Sequence, residues 1–161
     1  MRKPRAEVSV SNKRLDRRRV APDGMSRRPR LYLVGEAPGA EESAQGKPFV
    51  GPAGRALRQM LQQAGIDPKQ VRLANAIPFR PVAHSNDQRP RNRSPTIEEV
   101  GRYGAAVLAD IRRAKPGVIM ALGSTAARLL GERRPVQAVR NAMLQFESYP
   151  LRVTLCPPLR R

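Results

Sequence analysis

Between residues 35 and 54 the chain concentrates the residue types from which a binding loop is made. Gly35-Glu36-Ala37-Pro38-Gly39-Ala40-Glu41-Glu42 is followed by Gly46-Lys47-Pro48-Phe49-Val50-Gly51-Pro52-Ala53-Gly54. The five glycines let the backbone approach a ligand closely and leave its N–H groups exposed. Neither a G-x-G-x-x-G nor a G-x-x-x-x-G-K-[ST] spacing occurs, which excludes the dinucleotide fingerprint and the P-loop. On residue types alone this is a loop that takes something polar or anionic. A plain connection between a strand and a helix needs only about 2–6 residues, so a stretch this long calls for a use.

Few other residues offer chemistry. His84 is the single histidine and sits in a polar stretch, where a solvent-exposed role is expected. Cys156 is the single cysteine, which allows neither an internal disulfide nor a cysteine metal framework and fits a reducing cytoplasm. The formal net charge is +18, from 31 Lys and Arg against 13 Asp and Glu. Such a surface seeks a polyanion: DNA, RNA or an anionic membrane face. No apolar run approaches the roughly 18 residues of a membrane span, and no apolar stretch follows the basic N-terminus as it would in a secretory signal.

The elements that must carry the loop are legible in the pattern. Residues 1–30 hold eleven Lys/Arg and three Asp/Glu with no apolar period, and read as a basic, disordered tail; Met25 is an alternative start. Leu31-Tyr32-Leu33-Val34 is an apolar run that stops at Gly35, as a buried parallel strand does. Ala53, Leu57, Met60, Leu61 and Ala64 keep helical spacing and Gly65 closes them. A second strand is predicted over 71–77, followed by a long polar loop to Pro95. Thr96-Ile97-Glu98-Glu99 is a capping box. Its helix presents Ile97, Val100, Val107, Leu108 and Ile111 inward and stops before Pro116. A third strand is expected over 118–122, a short helix from Ser124 to Leu130, and a fourth strand over 151–155. Strands alternating with helices predict a three-layer α/β/α domain, residues 31–161, with a four-stranded parallel sheet. Ligands of such sheets sit beyond the carboxyl ends of the strands. The loop after Gly35, the segment from Asn75 to Arg93 and the segment after residue 155 all lie there.

Gly35-Glu36-Ala37-Pro38-Gly39 with Gly46-Lys47-Pro48-Phe49-Val50-Gly51-Pro52-Ala53-Gly54 closely resembles the first motif of the family four uracil-DNA glycosylases. The resemblance continues through Asn75, Arg80-Pro81, Asn92-Arg93, Pro95-Thr96, Glu98-Glu99 and Pro116 to Ala126, and covers residues 31–130. It implies a cytoplasmic, monomeric DNA-repair hydrolase. Such an enzyme flips uracil out of DNA and hydrolyses its N-glycosidic bond. It implies that Phe49 stacks on the base, and that Asn75 reads its edge, donating to O4 and accepting from N3–H, a pattern cytosine inverts. Gly35, Ala37, Pro38 and Gly39 would cradle the base. Glu36 or Glu42 would orient or deprotonate the attacking water, and Glu42 would also stand near C5. Lys47, Arg80, Arg93 and Arg160 would contact phosphates.

Two departures from the family pattern bear on activity. The family carries four cysteines that bind an iron–sulfur cluster. Here Tyr103 stands at one of those positions and one cysteine remains, so no cofactor is expected. The family's last strand also leads into a histidine that hydrogen-bonds uracil O2. Cys156 stands in its place, and a thiol is a weak donor. The family pattern runs on into a further helix, whereas this chain ends at Arg161. Two readings stay open: a weak or specialised glycosylase, or even a domain that grips DNA or uracil without turnover, and a gene shifted in frame inside the motif.

Overall fold

The computed structural model describes residues 12–84, 90–140 and 142–154. Its centre is a six-stranded sheet in the order β2-β4-β3-β7-β9-β8. The strands are β2 (Asp23–Gly24), β3 (Leu31–Gly35), β4 (Val71–Asn75), β7 (Val118–Leu122), β8 (Met143–Phe146) and β9 (Tyr149–Thr154). β4, β3, β7 and β9 are mutually parallel, which is the expected four-stranded core. The edges differ from expectation, because β2 and β8 add antiparallel strands at either side.

β3 is buried along its whole length, and its side chains alternate between two cores. Leu31 and Leu33 join Val71, Leu73, Leu57 and Leu61 on one face. There α2 (Pro52–Gln63) packs its apolar stripe. Tyr32 and Val34 join Ala74, Val107, Ile111, Ala126 and Leu151 on the other. That face carries α4 (Ala105–Ala114), α5 (Ser124–Leu129) and α6 (Val136–Val139). Helices on both faces of the sheet make the three-layer α/β/α architecture. No helix among the described residues is long and apolar enough to cross a membrane.

The helix expected from Thr96 to Lys115 is two helices. Thr96 caps α3 (Ile97–Tyr103) as the capping box requires: its side chain accepts from the Glu99 N–H at 3.1 Å, and the Glu99 carboxylate accepts from the Thr96 N–H at 2.8 Å. Gly104 then separates α3 from α4. A Cβ there would lie 2.4 Å from Leu129 Cδ1 and 2.6 Å from the Val100 carbonyl, so the close approach of α5 demands glycine. A single helical phase does not carry across the break. Ile97, expected to face inward, is 74% exposed.

The segment before residue 31 also departs from expectation. Residues 12–30 are built into the fold rather than forming part of a tail. β1 (Asn12–Asp16) pairs antiparallel with β5 (Arg80–His84), and β5 pairs with β6 (Arg91–Asn92) in a second, three-stranded sheet. Val20 is buried and its N–H donates to the Pro78 carbonyl at 2.8 Å. The Asp16 carboxylate accepts from the Ser43 hydroxyl at 2.8 Å, and the Arg18 N–H and guanidinium hold its pKa down at about 2. Basic residues hide this behaviour in the sequence, because β1 lies on a sheet edge where only its backbone needs to be satisfied.

A buried polar cluster joins the sheet to α4. The Tyr32 hydroxyl donates to Asp110 Oδ2 at 2.6 Å, and Arg72 donates to both Asp110 oxygens, Nε at 2.6 Å and Nη2 at 2.9 Å. Arg113 pairs with the same carboxylate. Burial pushes the Tyr32 phenol well above its ordinary range, and the bond to Asp110 adds to this. Burial also pushes the Asp110 carboxyl up, but the bonds from Arg72 and Tyr32 outweigh it and hold the group below the usual carboxylate value.

Candidate active site

The carboxyl ends of β3, β4 and β7 open into a cavity of about 660 Å³. Gly35, Glu36, Ala37, Gly39, Phe49 and Asn75 line it, together with Glu42 and the start of α2. The expected base-binding residues, apart from Pro38, therefore meet in one place; buried Pro38 lines a small depression next door.

The cavity floor is backbone. A Cβ built on Gly35 would stand 2.6 Å from Asn75 Oδ1 and 2.6 Å from Phe49 Cζ. The carboxamide and the ring edge thus both crowd the same bare Cα. Asn75 holds its place as the last residue of β4, paired in register with Gly35. Phe49 is 9% exposed and adopts φ +56°, a left-handed conformation that a side-chain-bearing residue enters at a cost of about 1–2 kcal/mol. Its neighbourhood over-determines that conformation. Arg58 Nε donates to the Phe49 carbonyl at 3.2 Å and Arg55 Nη1 to the Val50 carbonyl at 2.9 Å, both from α2.

The two candidate acids have different situations. Glu42 lies in α1 (Ala40–Gln45), a short helix inside the long loop that the sequence pattern does not announce. Its Oε2 accepts from the Gly39 N–H at 3.1 Å and its Oε1 from the Gly51 N–H at 2.9 Å. The carboxylate staples the two halves of the loop together, and each oxygen is already engaged. Glu36 is exposed, lines both the cavity and the adjoining depression, and forms no hydrogen bond or ion pair among the described residues. Of the two, Glu36 is the one free to meet a water molecule.

The expected phosphate contacts divide. Lys47 is exposed on the loop. Arg80 donates to Asn92 Oδ1 at 2.7 Å and to the Pro90 carbonyl at 3.2 Å. In this geometry the Arg93 guanidinium is fully engaged. Its five N–H groups go to Val82 O, Ser94 O, Arg14 O and both Glu99 oxygens, the last at 2.6 and 2.7 Å. The guanidinium in turn pulls the Glu99 carboxyl below its ordinary value. Arg93 binds β1, β5 and the start of α3 together, so its charge is consumed in structure. Cys156 and Arg160 lie outside the described residues, as does the side chain of His84.

The sequence reading missed part of the wall. Asn92 lines the cavity and the depression beside it, and Leu122, Gly123 and Ser124 close the β7 side. The signal was available: Gly123-Ser124 follows a parallel strand at its carboxyl end, where ligands of such sheets bind.

Tyr103 packs edge to face on Phe79, with ring centroids 5.2 Å apart at 78°. No group of three or more His, Cys, Asp or Glu side chains among the described residues could hold a metal ion.

Comparison with known proteins agrees with this architecture. The sequence pattern of the family described as "Uracil DNA glycosylase superfamily" matches residues 22–154. The type-4 uracil-DNA glycosylase of Thermotoga maritima is 39% identical over 111 residues, 69% of this chain and 54% of that protein. The type-4 enzymes of Archaeoglobus fulgidus and Pyrobaculum aerophilum are each 38% identical, over 62% and 63% of this chain and 46% and 48% of their own lengths. The chain thus spans about half the length of the curated relatives it matches. A match that runs from the residue before β2 to the end of β9 takes in every strand of the central sheet and the whole glycine-floored cavity, and on that ground the chain belongs to the uracil DNA glycosylase superfamily, on its type-4 branch.

Proposed function

We propose that the cavity takes a uracil flipped out of DNA and that the chain hydrolyses its N-glycosidic bond. The observation that carries this reading is the convergence of the Phe49 ring and the Asn75 carboxamide on the bare Cα of Gly35. A flat base edge can lie against backbone there, with a ring against its face and a donor–acceptor pair at its rim. The Asn75 carboxamide supplies one donor and one acceptor, the complement of uracil O4 and N3–H. Backbone N–H groups after Gly35 would receive negative charge as it grows on the leaving base. Glu36, without a partner among the described residues, would hold the water that attacks the sugar.

A second reading is favoured by the Glu42 staple together with Cys156. If Glu42 is spent on structure and a weak donor stands where the family places histidine, the domain grips uracil with little turnover. Base release from single- and double-stranded DNA separates the two. In the first reading wild type releases uracil. Asn75→Asp, which repels O4 where the amide donates to it, and Asn75→Ala should each lower release about a hundredfold or more. Unchanged release and binding in both variants would remove Asn75 from the pocket. Under the second reading wild type binds uracil-containing DNA but turns over slowly. Cys156→His should then raise release by up to about a hundredfold through one restored donor. No gain in a folded Cys156→His protein would mean that Cys156 does not occupy the histidine's place.

A further inference from the structure

Beyond the cavity, the fold assembles a second concave site from residues that the glycosylase reading leaves unused. Arg14, Leu15 and Arg17 from the N-terminal segment meet Phe79 and Tyr103 around a recess of about 770 Å³. The two rings meet edge to face, and the Arg102 guanidinium lies 5.5 Å from the Tyr103 ring centroid. The guanidinium groups of Arg14 and Arg17 form no hydrogen bond or ion pair among the described residues. Arg18, one position on, is by contrast locked to Asp16. Asp16 is thereby taken, as is Asp110, which already carries Arg72 and Arg113. The described residues that line the recess include two arginines and no carboxylate, so its lining is cationic. Shared residues link it to the cavity. Asn75 lines both the cavity and an intermediate recess that contains Arg19, and Tyr103 lines both that recess and the cup.

We infer that this aromatic and arginine cup binds a single-stranded segment of nucleic acid beside the flipped nucleotide. Rings and guanidinium planes offer stacking surface to bases of any sequence, and the free guanidinium groups neutralise phosphates. A recess built for an apolar peptide would not be lined with uncompensated cations. The inference rests on DNA being the molecule whose base enters the cavity.

The test is equilibrium binding of a labelled, uracil-free single strand of about twenty nucleotides across a salt series. Arg14→Gln/Arg17→Gln changes exposed side chains only and should melt as wild type does. Its affinity should fall about tenfold, and the slope of log K on log salt should become shallower by about 1.4, two phosphate contacts' worth on a single strand. Tyr103→Leu should lose about tenfold with little change in slope, while Tyr103→Phe keeps wild-type affinity. Binding of free uracil should be unaltered in all three. An arginine double variant with wild-type affinity and slope overturns the cup and leaves the cavity reading intact. A chain whose strand binding depends on Arg14 and Arg17, but which neither binds nor releases uracil, keeps the cup and overturns the cavity reading.

Discussion

Gly35→Ala should fold and should lose uracil release by about a hundredfold or more. Gly35 has no positive φ to protect, so its backbone accepts alanine without strain. What it lacks is space. The new methyl carbon would stand 2.6 Å from Asn75 Oδ1 and 2.6 Å from Phe49 Cζ, and each must retreat by about 1 Å to reach ordinary contact distance. A displacement of about 1 Å in a positioning group costs on the order of a hundredfold in rate. Here two such groups must move at once. The stability cost should be about 1–3 kcal/mol, typical of one methyl forced into a filled site. Thermal melting and base release, read on the same preparation, separate the two effects. A Gly35→Ala protein that melts a few degrees lower and releases uracil at the wild-type rate would mean that bases do not bind over Gly35.

The largest effect on stability should come from Asp110→Ala. Arg72 is 7% exposed on β4, and Asp110 is its only carboxylate among the described residues. Removing that carboxylate strands a buried guanidinium, a change worth about 3–5 kcal/mol. For a chain of this size this lowers the melting temperature by roughly 10 °C or more. The Tyr32 hydroxyl loses its acceptor at the same time. The pH dependence has a definite sign. The Asp110 carboxyl lies below its ordinary value in the folded chain. Its contribution is therefore complete above the unfolded value, near 4, and is lost as the pH falls through the lower folded value. Wild type should lose stability steeply in that acid range, and Asp110→Ala should lose less. A melting temperature within a degree or two of wild type near neutral pH would show that Arg72 finds another partner.

The central parallel strands were legible because a strand buried on both faces is an apolar run. Leu31–Val34 and Val118–Leu122 have no other reading beside their glycine stops. The edges were not. β2 is two residues long, and β8 alternates exposed with half-buried positions, so neither presents a run. β5 and β6 lie in what reads as a polar loop, since their pairing is carried by backbone and by Arg80 and Arg93 rather than by apolar side chains. The candidate site residues Gly35, Phe49 and Asn75 were legible as a motif, while their mutual distances were not. The double engagement of Glu42 and the closure of Arg93 on Glu99 are products of tertiary proximity: residues nine and six positions apart brought into contact by turns. Charge alone cannot tell such a structural arginine from one that waits for a phosphate.

The carboxylate of Glu42 has a consequence for the timing of recognition. By holding the amides of Gly39 and Gly51 at once, it ties the two halves of the loop together with no ligand present. A loop ordered only by its ligand makes entry a two-stage process, whose observed rate levels off once rearrangement becomes limiting. A loop already tied at both ends has no such stage. On the proposed function, capture of an extruded base would then proceed in one kinetic phase, at a rate set by how often the base leaves the helix, and the slow event would belong to the DNA and not to the protein.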